Sequence, residues 1–385
     1  MSEKIFAVAV VLLSANACSR SDNAAEPVSK DGFMSKREVA VMLASLPLGR
    51  GQIGEVYDAV FSSASNGYDE EYMMADLLTS PGAGVGSPGS KAASPVSYET
   101  PIRSLIADYL ASRTSSTKAG AGDVQRYLDN LSSSGLQIYW PYSEEWDGET
   151  LPLITFDPGN GSESNYAYVV NSVSGRYEVT DSVMVNEKVA MERPVWVINT
   201  NTDSNCVPLE SFLSTKSIWD DDEEDDDAER FNLYIRDFTM LRQYDSWFAG
   251  ASEFHVWCGG VHGFYASTEA ELKNYSPTIT DFIVVVKRNE IGKKKCFNAI
   301  MVTDFSDQLD KLAFLVVEDD GGTVTNWKCA ASVKIKSKTY GFDIDIPYRA
   351  SDDIVWRGQL GASYFTKGKT IEGRFGDVKI TFALE

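Results

Sequence analysis

The side chains of this chain best suited to chemistry are carboxylates, because histidine is scarce. Only two histidines occur, His255 and His262, and with Cys258 they form "HVWCGGVH". Zinc takes four ligands in a tetrahedron. This segment supplies three at most, and no second CxxC or HxxxH stretch completes the set. The plainer expectation is a strand carrying His255 beside Val256 and Trp257, followed by a turn at Gly259 and Gly260. The same scarcity counts against a Ser-His-Asp triad, a Cys-His dyad or an HExxH metalloprotease, and no G-x-S-x-G elbow is present. Glu144 and Glu145, in "YWPYSEEWDGE", stand among Trp140, Tyr142 and Trp146. Paired acids at the right separation hydrolyse glycosides, and aromatic faces stack on sugar rings, so these two are the candidate catalytic acids. An acidic turn between aromatic strands accounts for the same residues without chemistry.

The densest acids are eight in a row, Asp220 to Asp227. Read as an EF-hand loop from Asp220, the run needs Gly at its sixth position and Glu at its twelfth; it has Asp225 and Phe231. Blocks of like charge repel and stay extended, so residues 219–230 read as a solvated linker. The glycines Gly84, Gly86 and Gly89 fit G-x-G-x-x-G spacing, but Pro81 and Pro88 flank them where a dinucleotide site needs a strand and a helix N-terminus. They read as a loop, and no cofactor site is assigned to them.

Positioning any of these residues falls to the surrounding elements. The chain has 385 residues and a hydrophobic fraction of 43%, enough for two or three domains with ordinary cores. In "SKREVAVMLASLP", Ser35 and Glu38 stand at capping-box spacing before Val39, Met42, Leu43 and Leu46, which predicts a helix ended by Pro47. "EVYDAVFSSA", "DEEYMMADLL", "PIRSLIADYLASR" after Thr100, and "GDVQRYLDNLSSSG" up to Gly135 read as further helices. Residues 35–135 are thus expected to be helical, interrupted by a Gly/Pro/Ser-rich loop over 79–98. From Leu136 the pattern changes to short β-branched and aromatic runs, giving a β-rich region over 136–218. After the acidic run about eight strands follow across 231–385, which argues for an antiparallel sandwich. "FIVVV" and "LAFLVV" do not alternate and are expected as central strands, whereas Val378, Ile380, Phe382 and Leu384 alternate in the last one. The fold class is therefore α+β: a helical N-terminal region, a β-rich middle and a C-terminal antiparallel β-sandwich.

Within that last region "FNLYIRDFTML" leads into "RQYDSWFAGASEFHVW", and later "KLAFLVVEDDGG" brings three acids to a strand end. This pattern resembles a C2 domain over residues 231–385. Asp245 matches its first loop acid, Ser252 and Glu253 the start of its next strand, and Glu318 and Asp320 the acids of its later loop. The resemblance implies a C2-like sandwich in which two loops at one end hold calcium. Asp245, Glu253, Glu318, Asp319 and Asp320 are its implied ligands, since calcium takes six to eight oxygens. The Pro and Tyr that follow Ser-Asp in C2 domains are missing, and Glu replaces Asp at two ligand positions.

The first seventeen residues, with Lys4, an apolar stretch from Ile5 to Leu13 and small residues at Ala15 and Ala17, have the pattern of a secretory signal peptide. Cleavage either falls before Cys18 or follows an A-x-A rule; the first is favoured. The stretch resembles a bacterial lipobox, although Ala15 stands where Leu is usual. That resemblance implies a lipidated Cys18, a polar tether over 18–34, and a place at the outer membrane or cell surface, with periplasmic or secreted fates otherwise. Cys206, Cys258, Cys296 and Cys329 permit two disulfides but require none. The net charge of -21, from 56 acidic against 35 basic side chains, would repel nucleic acid and anionic membrane surfaces. Membrane contact is expected through the lipid anchor alone. The general organisation resembles surface or periplasmic lipoproteins of Gram-negative bacteria. The leading expectation is a binding module for a surface ligand, glycan or protein, with or without calcium. A secreted carboxylate-dependent hydrolase of glycan or peptide is the second expectation, and a structural envelope component the third.

Overall fold

The computed structural model describes residues 33–79, 98–115, 121–170, 182–201 and 231–385. Cys18, Gly84 with its loop, Cys206 and the run from Asp220 to Asp227 lie outside these residues. Strand exceeds helix, 42% to 26%, so the chain is a β-rich α+β protein.

The N-terminal unit begins with α1 (Lys36–Ser45) and α2 (Arg50–Ser65), then β1 (Glu71–Met73), α3 (Met74–Leu78), α4 (Ile102–Ser115) and α5 (Ala121–Ser132). It continues with β2 (Leu136–Tyr139), β3 (Leu153–Phe156), β4 (Ser164–Val169), β5 (Ser182–Asn186), α6 (Glu187–Glu192) and β6 (Val195–Thr200). Ser35 Oγ accepts from Glu38 N–H and Glu38 returns the bond to Ser35 N–H, so α1 starts as its capping box predicts. Its buried residues Val39, Met42 and Leu43 share one core with Ile138, Trp140, Trp196 and Ile198 of the sheet. The helical region and the β-rich region are therefore layers of one unit, although the change of period separates them in sequence.

The six strands run in the order β1-β2-β6-β3-β4-β5, antiparallel except for β3 beside β6. One detail departs from the sequence reading. "DEEYMMADLL" is not one helix, because Glu71 to Met73 pair with Tyr139 to Gln137 before α3 begins. A vacant sheet edge outweighs the weak helical preference of so short a stretch. At the start of α4 Ile102 N–H donates to Glu55 Oε2 at 2.8 Å, from α2, while the Thr100 carbonyl accepts from Gln52.

The C-terminal unit comprises β7 (Leu233–Met240), β8 (Ser252–Gly260), β9 (Thr278–Val286), β10 (Lys295–Val302) and β11 (Leu309–Glu318). β12 (Val324–Ile335), β13 (Lys338–Arg349), β14 (Asp353–Gly361), β15 (Thr370–Phe375) and β16 (Val378–Leu384) follow. One sheet has the order β10-β7-β16-β15 and the other β13-β12-β11-β8-β9, with β14 also paired to β11. Their inner faces share a core: Phe314 meets Phe382 at 5.5 Å and Phe238 meets Phe254 at 5.1 Å. The arrangement is that of a sandwich. β14 and β15 were not legible as strands, since charged and small residues interrupt "DIVWRGQLG" and "TIEGRF". β11 is central, as its apolar run predicts. β9 ends its sheet order even though Phe282 to Val286 are all buried, so there the run marks burial and not a central place.

Cys258, Cys296 and Cys329 are free thiols, so no two of them pair. Among the described residues no helix is long and apolar enough to cross a membrane.

Candidate cation site

The site grows out of strand alternation at the end of β11. Leu312, Phe314 and Val316 face the sandwich core, and a period of two puts Glu318 next in that buried row. Opposite it lie Phe254 on β8 and Asp353 on β14. Glu318 is fully buried, and neither of its oxygens meets a hydrogen-bond donor. Two other carboxylates join it. Asp245 arrives on the connection between β7 and β8. Strand parity places Glu253 on the other face, but it stands second in β8, at the strand's end, and its carboxylate reaches the same place. One oxygen from each of Asp245, Glu253 and Glu318 lies within 4.8 Å of the others.

Those separations suit a shared ion. Calcium binds oxygens at about 2.3–2.6 Å, so two of its ligands can stand up to about 5 Å apart. Without a cation the arrangement is costly. Burial pushes the Glu318 carboxyl far above its ordinary value, and the adjacent Asp245 carboxylate pushes it further, with Glu253 and Asp320 adding to the effect. Burial also raises Asp245, against the partial relief of its contact with Glu318 and the positive charge of Arg288. Asp320 is exposed beside the three acids; partial burial, then Asp245, Asp353, Asp352 and Asp319, raise it to about 6.

The next acid in the chain behaves differently. Asp319, one residue on, falls on the opposite face with His255. Its Oδ2 lies 3.4 Å from His255 Nε2, and its Oδ1 accepts from Gly321 N–H at 2.8 Å and lies 3.8 Å from Arg349. Burial works against its charge, but His255, Gly321 and Arg349 outweigh it and hold the carboxyl below its ordinary value. Of the five acids expected as ligands, then, Asp245, Glu253 and Glu318 converge, Asp320 borders them, and Asp319 is engaged elsewhere. Ser252 is buried and its hydroxyl accepts from Gln243 at 3.4 Å.

The connection carrying Asp245 is held by the N-terminal unit. Trp247 and Phe248 are fully buried among Tyr139, Leu153, Val185 and Val197, each burial contributing about 2–3 kcal/mol. Trp247 Nε1 donates to the Glu163 carbonyl at 3.0 Å, and Asn199 Nδ2 donates to the carbonyls of Phe248 and Ala249 at 3.1 and 2.7 Å. Ala251 N–H donates to Asp69 Oδ2 at 2.8 Å. Gly250 precedes it at φ +126, and a Cβ there would stand 2.8 Å from that same oxygen. Both the backbone angle and the approach demand glycine. Arg288, just after β9, donates to the Asp245 carbonyl at 3.1 Å and pairs with Glu187 of α6. Burial opposes the charge on Glu187, yet Arg288 and the Tyr142 hydroxyl keep its carboxyl below the ordinary value.

Asp69, Glu70, Trp247 and Arg288 carried no sequence signal for this role. Asp69 and Glu70 sit in the stretch expected as a helix, and both are buried. Glu70 rises to about 9, through burial and then Asp69, with Lys287 partly offsetting them.

The other candidates separate. Glu144 and Glu145 are exposed on a single turn of 3-10 helix, and Glu144 Oε1 accepts from Asn289 at 2.9 Å. The aromatics around them belong to the core: Trp140 is buried, and Trp146 packs on it at 5.5 Å and on Tyr57 at 5.3 Å. His255 stacks on Trp257, His262 lies 3.1 Å from Thr303 Oγ1, and Cys258 faces the core. Cys258 lies three positions after His255, so strand parity points them to opposite faces.

No protein-family model and no curated protein matches the chain. Among solved structures it is similar to one described as "Structure of Drosophila C2-DSL-EGF1", at 9% identity and a TM-score of 0.17. The match covers 40% of this chain and 65% of that one. A likeness of this size carries no conclusion about fold or function.

Proposed function

We propose that the chain is an exported, lipid-anchored envelope protein that acts as a binding module, and that its sandwich holds a divalent cation, calcium by ligand chemistry, on Asp245, Glu253 and Glu318. The observation that carries the cation is Glu318: a fully buried carboxylate without a hydrogen-bond donor, facing two further carboxylates. A buried charge of this kind is normally paired or bound to a metal. Oxygen-only ligands favour calcium over zinc or copper. The C2-like reading belongs to this proposal and rests on the same acids standing at one end of a sandwich. The surface ligand is a glycan or protein, and lipidation at Cys18 supplies the membrane contact.

Full burial of Glu318 speaks against a catalytic role, since a substrate cannot reach it. Thermal melts in millimolar calcium and in chelator test the ion. The wild-type chain should melt higher with calcium, and Glu318→Gln should abolish the difference. An unchanged wild-type melt refutes the site. Labelling with radioactive palmitate, lost in Cys18→Ala, tests the anchor.

A further inference from the structure

The acids at the end of the sandwich lie where the two units of the chain meet. Asp245 is two residues from Trp247, whose ring is buried among residues of the N-terminal unit. Ala251, at the other end of the same connection, is bonded to Asp69 of that unit, and the Asp69 carboxylate itself adds to the negative field at Asp245. Arg288 ties Asp245 to Glu187 across the same junction. Resting on the cation reading above, we infer that the ion is the clasp between the two units. By binding Asp245 together with Glu253 and Glu318, it fixes the plug formed by Trp247 and Phe248 in the N-terminal unit, so that calcium controls whether the units stay docked.

Charge and geometry point the same way. Glu253 and Glu318 belong to the sandwich framework, on β8 and β11, whereas Asp245 sits on the connection that enters the other unit. Without a cation nothing but crowded acids joins the connection to the sandwich end at this point, and Glu318 has no donor there. With a cation all three carboxylates bind one charge, which holds the connection onto the sandwich end. Arg288 offsets part of the repulsion at Asp245, but Glu318 has no comparable partner.

Two measurements on the full mature chain separate this inference from the reading beneath it. Terbium luminescence, competed by calcium, reports whether the acids bind an ion. Hydrogen exchange of the amides of Trp247 to Ala251 reports whether the plug opens. If opening releases the ion, calcium at ten times its dissociation constant should slow exchange at those amides about tenfold. Glu318→Gln, which removes the buried carboxyl and keeps its shape, should bind no terbium and exchange at one calcium-independent rate. Terbium binding with no calcium effect on exchange at Trp247 to Ala251 overturns the clasp while leaving the cation site standing. Absence of terbium binding overturns both.

Discussion

The two faces of the β11 end deal with buried charge in opposite ways. Asp319 meets His255, Arg349 and a backbone N–H, and its carboxyl is held low. Glu318, its neighbour in sequence, meets only other acids, and its carboxyl is driven up. The pleat of one strand separates them. The first face is satisfied by the chain's own cations; the second is satisfied by an ion from solution or by a shared proton. Counting acids along "VEDDGG" cannot reveal this difference, because it depends on which side of the sheet each residue takes.

Mutating each face in turn is the strongest way to break the comparison. Asp319→Ala should destabilise the chain by about 3 kcal/mol, the cost of removing one partner from a buried charged network. Urea unfolding midpoints measure this, and the loss should be the same in calcium and in chelator. A calcium-dependent loss would mean that Asp319 belongs to the ion site after all. Glu318→Gln should be nearly neutral in chelator, within about 1 kcal/mol of the wild-type chain, because the carboxyl it replaces already holds a proton there and the amide keeps its shape. In calcium at a hundred times the dissociation constant, the wild-type chain should gain about 2.7 kcal/mol and the variant nothing. A destabilised Glu318→Gln in chelator would show that the acids hold each other in place through a proton.

Much of this frame was legible from pattern. The capping box at Ser35 and Glu38, the β-rich change of period at Leu136 and the central run of β11 all follow from spacing that local physics enforces. The convergence of Asp245, Glu253 and Glu318 was expected only through a resemblance, since the last lies 73 positions after the first. What stayed hidden was tertiary. Asp69 and Glu70 look like solvent-facing acids until the β7 to β8 connection is laid against them. Trp247 and Phe248 read as ordinary loop aromatics until a second unit supplies the pocket. The aromatics beside Glu144 resembled a sugar platform, but the N-terminal core occupies them.

A third kind of buried acid, Glu55 on α2, is found in the N-terminal unit. Glu55 has a donor, the Ile102 N–H at the start of α4, but no cation. Burial raises its carboxyl to about 6, with the Ile102 bond pulling the other way. Tyr72 and Tyr98, whose phenols the Glu55 charge helps to push up, titrate above their ordinary range and stay neutral through this window. A folded-state value above the unfolded one means that the native state holds its proton longer. The contribution to stability is therefore complete below about pH 4.5 and is lost as pH rises through about 6. A shift from 4.5 to about 6 corresponds to about 2 kcal/mol at most. Glu55→Gln can still accept from Ile102 and has no proton to lose, so it should remove that slope. Unfolding midpoints at pH 4.5, 6 and 7.5 in both chains measure the difference, and parallel profiles would mean that burial does not govern Glu55.

The smallest effect tests whether the acid-rich face depends on the other unit. Gly250→Ala places a methyl group 2.8 Å from Asp69 Oδ2 and forces a side chain onto a backbone at φ +126. Strain of this kind costs about 1 kcal/mol or somewhat more. The cost lies at the junction, so it should act on the plug before it acts on either core. The expected result is faster hydrogen exchange at Ala251 and in the connection, with little change in β11 or α1. Asp319→Ala should leave the opposite signature, with the sandwich loosened and the plug amides following it. If Gly250→Ala instead weakens β11 as much as the connection, the two units unfold together and the junction is no softer than the cores it joins.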